Sequence, residues 1–591
     1  MRLALALLAG GSLLLGATHA VPARTVAARL ASAEAAFAAL SQSYVQNIAR
    51  FTPTSGTTLG DHRFDDRIED VSAGGRARLL AHDKALLGEL ARIDRKALTR
   101  ESQVDAALLD NALRYEIWQI ETLRDWSWDP QIYNGIAGGA LYSLAARDFA
   151  PWPQRLKAAT ARMEAMPAFL AQARAQLIPA RVPAIYATTV AKQNGGVVDI
   201  AESMLAPHAD TLSAPDRQRF TAALATLKAA IAEHQHWLDT VLVPQAKGEL
   251  RLGAKLYDQK VAFALVSNLS RQEIKTRATA AVIATRAQMY ALARQVLAAP
   301  ALPDQPSAVQ QQAAIEAALA LTYRERPARD GLMAKANATL VQATAFVRAK
   351  GLVSMPDGPV RIITMPKFQQ GVAVAYCDSP GALEKQLDTF YAISPIPDDW
   401  SDAQATSFLS EYNNYMIQDV SIHEAMPGHY VQIAHANQFH DVLRAVLSSG
   451  PFVEGWAVYA EGMMADADYM NGDPLFKLTI LKMRLRSITN SLLDIGIHTE
   501  GMTREQAMDL MMKTAFQQER EAAGKWVRAS LGSTQLLSYF TGYSEHMAMR
   551  EEAKRRLGAK FDLKTYNDAV LAHGSPPARF ARELMFGLPI G

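Results

Sequence analysis

Cysteine occurs once in 591 residues, at Cys377, so an internal disulfide framework is excluded. A chain of this length has enough apolar surface to hold itself together by burial. The lone thiol fits a small buried apolar group better than a nucleophile. A surplus of either charge is lacking too, with 61 Lys and Arg facing 59 Asp and Glu. Nucleic-acid binders normally need a strong basic excess, so no such partner is expected, while a local charged pocket stays open. After the opening segment there is no uncharged apolar run of the roughly 18 residues that a membrane helix needs. No stable membrane anchor is expected.

The opening segment is itself apolar. Met1-Arg2 supplies a positive charge and Leu3 to Ala17 a short apolar run. Ala17-Thr18-His19-Ala20 offers small residues for cleavage, with Val21-Pro22-Ala23 as a second option. Residues 1–23 thus read as a signal peptide, too short and too lightly flanked to be a stable span. No cysteine follows the run, which argues against a lipid anchor. The mature chain is expected to be exported, periplasmic or extracellular.

From Thr25 to about Leu352 apolar residues recur at helical spacing. Leu30, Phe37, Leu40, Tyr44 and Ile48 form one stripe, and Leu109, Leu113, Ile117 and Ile120 another. Ser213 with Pro215 opens a helix running to about Leu242. At residue 360 the period changes, and residues 360–365, 371–376 and 389–393 read as short strands. Such a sheet has an edge that could pair with an extended peptide, or it is purely structural. Helical spacing resumes near Asp402 and runs through Phe408, Tyr412, Met416 and Val420.

That spacing leads into Ser421-Ile422-His423-Glu424-Ala425-Met426-Pro427-Gly428-His429-Tyr430. Two histidines, with a glutamate directly after the first, suit a hydrolytic zinc site. Neutral imidazoles ligate a borderline-soft divalent cation, and the adjacent carboxylate can take a proton from water. The usual i, i+4 spacing puts both rings about 40° apart on a helix. A separation of six would put them about 120° apart, and a regular helix would miss. Pro427 cannot donate the hydrogen bond that the carbonyl of His423 would accept, and its ring clashes with that carbonyl. Gly428 permits angles closed to other residues, positive φ among them. The helix is expected to break at Pro427-Gly428 and return His429 toward His423; the alternative is a helix that ends there with two incidental histidines.

Glu454-Gly455-Trp456-Ala457-Val458-Tyr459-Ala460-Glu461 begins 25 residues after His429 and reads as the start of a second helix. Its two glutamates, seven apart, fall within about 20° of one face. A glutamate at that distance is the usual third ligand in glutamate-type zincin peptidases, which points to Glu454. Glu461 could orient a ligand histidine from behind, or take the third position itself. A solvated helix face is the bland alternative.

These two segments resemble a bacterial family known as domain of unknown function 885, regarded as zincin-like. Leu59-Gly60 with Arg63-Phe64-Asp65, the run from Leu493 through Asp494 to His498, and Ser538-Tyr539-Phe540-Thr541-Gly542 with Arg550 extend the resemblance to roughly residues 45 to 588. It implies a mainly helical, zincin-like metallopeptidase fold, with the small sheet expected to be antiparallel and beside the active-site helix. A helical region 24–352 and a catalytic region 353–591 would form one bilobal unit. His423, His429 and Glu454 would hold one zinc ion per chain, and Glu424 would be the general base. Tyr539 would face the oxyanion, a role that Tyr543 or His546 could hold instead. His498, just past Asp494, could contact substrate or be a core histidine. Arg550 could meet a substrate carboxylate or a structural partner. The expected activity is that of an exported zinc metallopeptidase on peptide substrates. The rivals are a metal-dependent amidase or esterase and an inactive helical binding protein with a residual metal site.

Overall fold

The computed structural model describes residues 23–297, 302–358, 360–366, 369–370, 374–384 and 386–591. All but the last residue of the expected signal peptide lies outside them, as do Gly371, Val372 and Ala373 of the second expected strand. Helices dominate, and their starts follow the polar caps in the sequence. The Ser213 hydroxyl accepts from Asp216 N–H at 3.4 Å to open Ala214–Trp237, which continues in a wider turn to Leu242. Thr503 and Gln506 form the reciprocal box that starts Arg504–Asp509.

The early stripes bury some of their members, and Tyr44, Ile48, Ile117 and Ile120 are half-buried. Phe37, Leu40, Leu109 and Leu113 share one core cluster, although Leu30 at the stripe's outer end is 42% exposed. That cluster also takes in Leu443, from far along the chain. Tyr257, Val261, Leu265 and Ile274 likewise pack with Ile495 and Leu537. The apolar clusters thus cross position 352.

The strands are β1 (Val360–Thr364), β2 (Ala375–Asp378) and β3 (Thr389–Ile393), in the order β1-β3-β2. β3 pairs parallel with β1 and antiparallel with β2. The sheet is therefore mixed, which corrects the antiparallel expectation. β3 is the most buried of the three, with Tyr391, Ala392 and Ile393 at 4% exposure or less. Burial draws it to the centre, and the links between successive strands are long enough to let it insert there.

Six helices form the site, and a seventh, the first of them in chain order, ties the late helices to the early ones. They are α1 (Arg100–Trp118), α2 (Asn414–Glu424), α3 (His429–Gln438), α4 (Gly450–Asp466), α5 (Pro474–Glu500), α6 (Glu519–Ser530) and α7 (Leu537–Leu557). Ile422, Tyr430, Phe452, Trp456, Tyr459 and Phe476 from α2 to α5 lie in one buried cluster. α4 and α7 cross so closely that a Cβ on Gly455 would lie 2.3 Å from the Gly542 backbone. A Cβ on Gly542 would lie 1.8 Å from Pro451 O. Only paired glycines allow that approach, so α7 reaches the glutamate helix at backbone distance.

Candidate metal centre

α2 ends at Glu424, two residues before Met426. Ala425 leaves helical geometry at φ −127° and ψ −79°, and the Met426–Pro427 peptide is cis. The turn is closed by its own backbone: Met426 N–H donates to Ser421 O at 3.1 Å and Gly428 N–H to Ile422 O at 2.9 Å. Gly428 itself sits at φ −76°, outside the positive-φ region that glycine permits. Space demands glycine instead, since a Cβ there would meet His423 O at 2.0 Å and Ile422 O at 2.4 Å. The Trp456 indole N–H donates to Pro427 O at 2.9 Å, tying the break to α4. α3 then starts at His429, with its ring turned back toward His423.

The two imidazoles meet edge to face, with centroids 4.7 Å apart and planes at 88°. Glu454 Oε2 lies 3.6 Å from His423 Nε2 and 3.4 Å from His429 Nε2. One donor atom from each of His423, His429 and Glu454 lies within 4.8 Å of the other two. A tetrahedral ion with nitrogen and oxygen ligands at about 2.0–2.1 Å would hold such atoms about 3.3–3.4 Å apart. The histidine–glutamate separations match that figure and are too long for strong hydrogen bonds. Glu454 Oε2 and His429 Nδ1 are also buried with no hydrogen-bond partner among the described residues. Behind the cluster, Glu461 Oε1 lies 2.7 Å from His423 Nδ1 and fixes that ring. Glu461 thus faces the outer nitrogen of His423, and Glu454 faces the inner one.

The electrostatics of the cluster favour a positive charge among its carboxylates. Burial alone would lower His423, but the facing Glu454 and Glu461 carboxylates and the charge of Glu424 hold it well above the usual histidine range. Burial alone would raise Glu454, but the two imidazoles hold it well below the usual carboxylate range. One turn before His423, Asp419 is fully buried, with both oxygens unpartnered among the described residues. Burial, then the charge of Glu461, pushes it well above the usual range. The donor set, its spacing and its orphaned atoms fit a divalent cation.

His423, Glu424, Glu461 and Tyr539 line one cavity of about 650 Å³. The Tyr539 ring lies 6.4 Å from that of His423, and its hydroxyl accepts from Arg528 Nη2 at 2.8 Å. The Glu424 carboxylate makes no hydrogen bond to another described side chain. The other residues singled out in the sequence lie away from the cavity wall. His498 Nε2 faces Gly532 O at 2.8 Å and Ala529 O at 3.1 Å, bracing the turn between α6 and α7. Asp494 accepts from Tyr257 Oη at 2.6 Å and from Thr534 N–H at 3.0 Å, bracing the same turn. His546 Nε2 donates to Phe452 O at 3.0 Å between α7 and α4. The Tyr543 ring takes the Arg484 guanidinium at 5.0 Å. Arg550 lies 3.6 Å from Asp466 Oδ2 and over the Tyr459 ring, as a structural partner. Arg550, His498, Tyr543 and His546 thus each contact the packing partners just named.

Sequence reasoning missed Arg528, Gln535 and the α6 cations. Gln535 Nε2 donates to Glu454 Oε1 at 3.4 Å and to Tyr539 Oη at 3.3 Å. Charged residues on an amphipathic helix ordinarily face water, so α6 carried no local signal; only the tertiary fold turns them inward.

The fold and site together define a mainly helical protein with a His–His–Glu cluster beside a cavity. The chain belongs to the family described as bacterial proteins of unknown function, DUF885, whose model matches residues 53–585. A solved protein from Shewanella oneidensis, described as a candidate lipoprotein of unknown function, is 32% identical, with a TM-score of 0.78. The match covers 93% of this chain and 99% of that one. A protein described as a candidate lipoprotein from Colwellia psychrerythraea shares the fold at 18% identity, with a TM-score of 0.75 and the same two coverages. No curated protein matches the chain. Among the described residues no helix is long and apolar enough to cross a membrane.

Proposed function

We propose that the chain is an exported, zincin-like zinc hydrolase that cleaves peptide bonds. The observation that carries this reading is the convergence of His423, His429 and Glu454 within 4.8 Å, with Glu424 next in sequence and on the wall of the same cavity. His423, His429 and Glu454 would hold the zinc. Bound there, zinc supplies Lewis acidity toward a carbonyl and makes water acidic enough to ionise near neutral pH. Glu424 takes the proton of the attacking water and returns it to the leaving amine. Tyr539, kept in place by Arg528 and Gln535, donates its hydroxyl proton toward the developing oxyanion. Glu461 keeps His423 in the orientation and tautomer that ligation requires.

A peptide substrate is favoured by the sheet. Val374 and Ala375 lead into β2, an edge strand of the sheet, and both line the cavity. An extended chain can add to such an edge by main-chain hydrogen bonds. Export is supported by the leader-like start of the sequence, and the candidate-lipoprotein descriptions of the two solved relatives agree with it.

The test is elemental analysis of the purified chain together with digestion of a diverse peptide library, with and without chelator. One zinc per chain and chelator-sensitive cleavage are expected. Glu424→Gln should retain the metal and lose about 10²–10⁴-fold in kcat. Retained turnover in that variant removes Glu424 as the base; a metal-free, inert protein removes the hydrolase reading.

A further inference from the structure

The cavity is lined by His423, Glu424 and Glu461, and by α6, which contributes Arg520, Glu521, Lys525 and Arg528. Glu521 of the same helix is already taken, by Arg486 Nη2 at 2.5 Å and by Tyr412 Oη at 2.8 Å. Arg528 spends its guanidinium on Gln535 and Tyr539. Arg520 lies against the Trp400 ring at 4.7 Å and has no ion pair among the described residues.

Lys525 is the anomaly. It is only 8% exposed, yet its one polar contact is Asn490 Oδ1 at 3.4 Å, and no carboxylate among the described residues pairs with it. A buried ammonium without an anion is costly, and ordinary folds avoid it. Burial, then the Arg486 charge, hold Lys525 well below the usual lysine range, with Glu521 opposing. A structural lysine in this position would be expected to carry a partner, as Lys482 does with Glu411 Oε2 at 2.8 Å on neighbouring α5. Lys525 borders an open cavity that can admit one.

We propose that α6 binds a carboxylate of the substrate, with Lys525 as its counter-ion and Arg520 at the rim. This deepens, and rests on, the hydrolytic reading of the same site. A cavity of about 650 Å³ suits a short peptide. Such a peptide would lie with its scissile carbonyl between Glu424 and Tyr539 and its anionic group on α6. The α-carboxylate of the peptide and an acidic side chain near the cleaved bond share this chemistry.

Two experiments test it. First, kcat/KM is measured on the full chain for acetyl-Ala-Ala-Ala as free acid and as C-terminal amide, and for acetyl-Ala-Glu-Ala-amide against acetyl-Ala-Gln-Ala-amide. At least one acid member should be preferred by about tenfold or more, and the pair that shows it identifies the source of the carboxylate. In Lys525→Met the preference should fall to within about twofold of unity, while Lys525→Arg retains most of it. Second, the same four peptides are titrated calorimetrically into Glu424→Gln protein, which reads binding without turnover. If no peptide is cleaved but the acids still bind preferentially, the hydrolytic reading fails and the carboxylate site stands. Equal binding of acid and neutral members, or a preference untouched by Lys525→Met, overturns the proposal. Thermal unfolding of Lys525→Met controls for folding, and removal of a buried amine that no carboxylate pairs should leave it unchanged or raised.

Discussion

His423 is held by two carboxylates that serve it differently. Glu454 faces Nε2 at 3.6 Å and Glu461 grips Nδ1 at 2.7 Å. The Glu461→Gln protein should keep its three metal-holding residues but bind the metal about 10–100-fold more weakly, because an amide orients the His423 ring less firmly than a carboxylate. Competition with a chelator of known affinity measures this, and unchanged affinity would remove Glu461 from that role. His546 sets a second expectation. Burial pushes it from 6.5 down to about 4, with the Phe452 carbonyl opposing. The folded state therefore keeps the ring neutral while the unfolded state protonates first. Stability is complete above about pH 6.5 and is lost as pH falls toward about 4, by something on the order of 3 kcal/mol. In His546→Gln, which keeps an N–H for Phe452 O, urea unfolding should be flatter across that window. An unchanged pH slope would assign acid sensitivity to other groups.

At the level of elements, the site depends on two backbone approaches. The first is the break between α2 and α3, where Gly428 lies against His423 O. The second is the crossing of α4 and α7 at Gly455 and Gly542. Gly542→Ala would press a methyl group against Pro451 O, three residues before Glu454. Overpacking of this kind costs about 1–3 kcal/mol. Because the strain falls on the first turn of α4, both the melting temperature and metal affinity should drop. Gly88→Ala is the control, since a Cβ there meets nothing within 4 Å. In the last turn of the helix Ala73–Leu90 it should leave stability unchanged or raise it slightly, by less than about 1 kcal/mol. A Gly542→Ala protein with normal zinc affinity would detach the helix crossing from ligand placement.

Over the whole molecule, Arg444 joins the late helices to the early ones. It is fully buried, reaching Asp105 Oδ1 and Glu101 Oε2 of α1 at 2.6 Å each, and the carbonyl of His573 at 3.1 Å. Arg444→Met would leave Asp105 buried without its cation, which typically costs about 3–5 kcal/mol. Chemical denaturation should show that loss, and adding Asp105→Asn with Glu101→Gln should recover much of it. A single variant within experimental error of the parent would show that the two ends of the chain are held by apolar packing alone.

The amino-acid sequence by itself determined what is local. Helix starts at Ser213 and Thr503, the change of period at residue 360, and the family membership carried by the histidine and glutamate segments were all legible, because caps, periodicity and short motifs act within a few residues. The pairing of His423 with His429 was legible as a need to break the helix at Pro427-Gly428. Its mechanism was not, since the glycine answers to the carbonyl it touches rather than to its own φ. The order of the strands was decided by burial of β3, which no single strand encodes. The packing duties of His498, His546 and Arg550 depend on carbonyls and carboxylates brought from other helices. Lys525 shows the limit most plainly: on α6 it is one more charge on an amphipathic helix. Only the tertiary fold closes water away from it and opens a cavity in front of it.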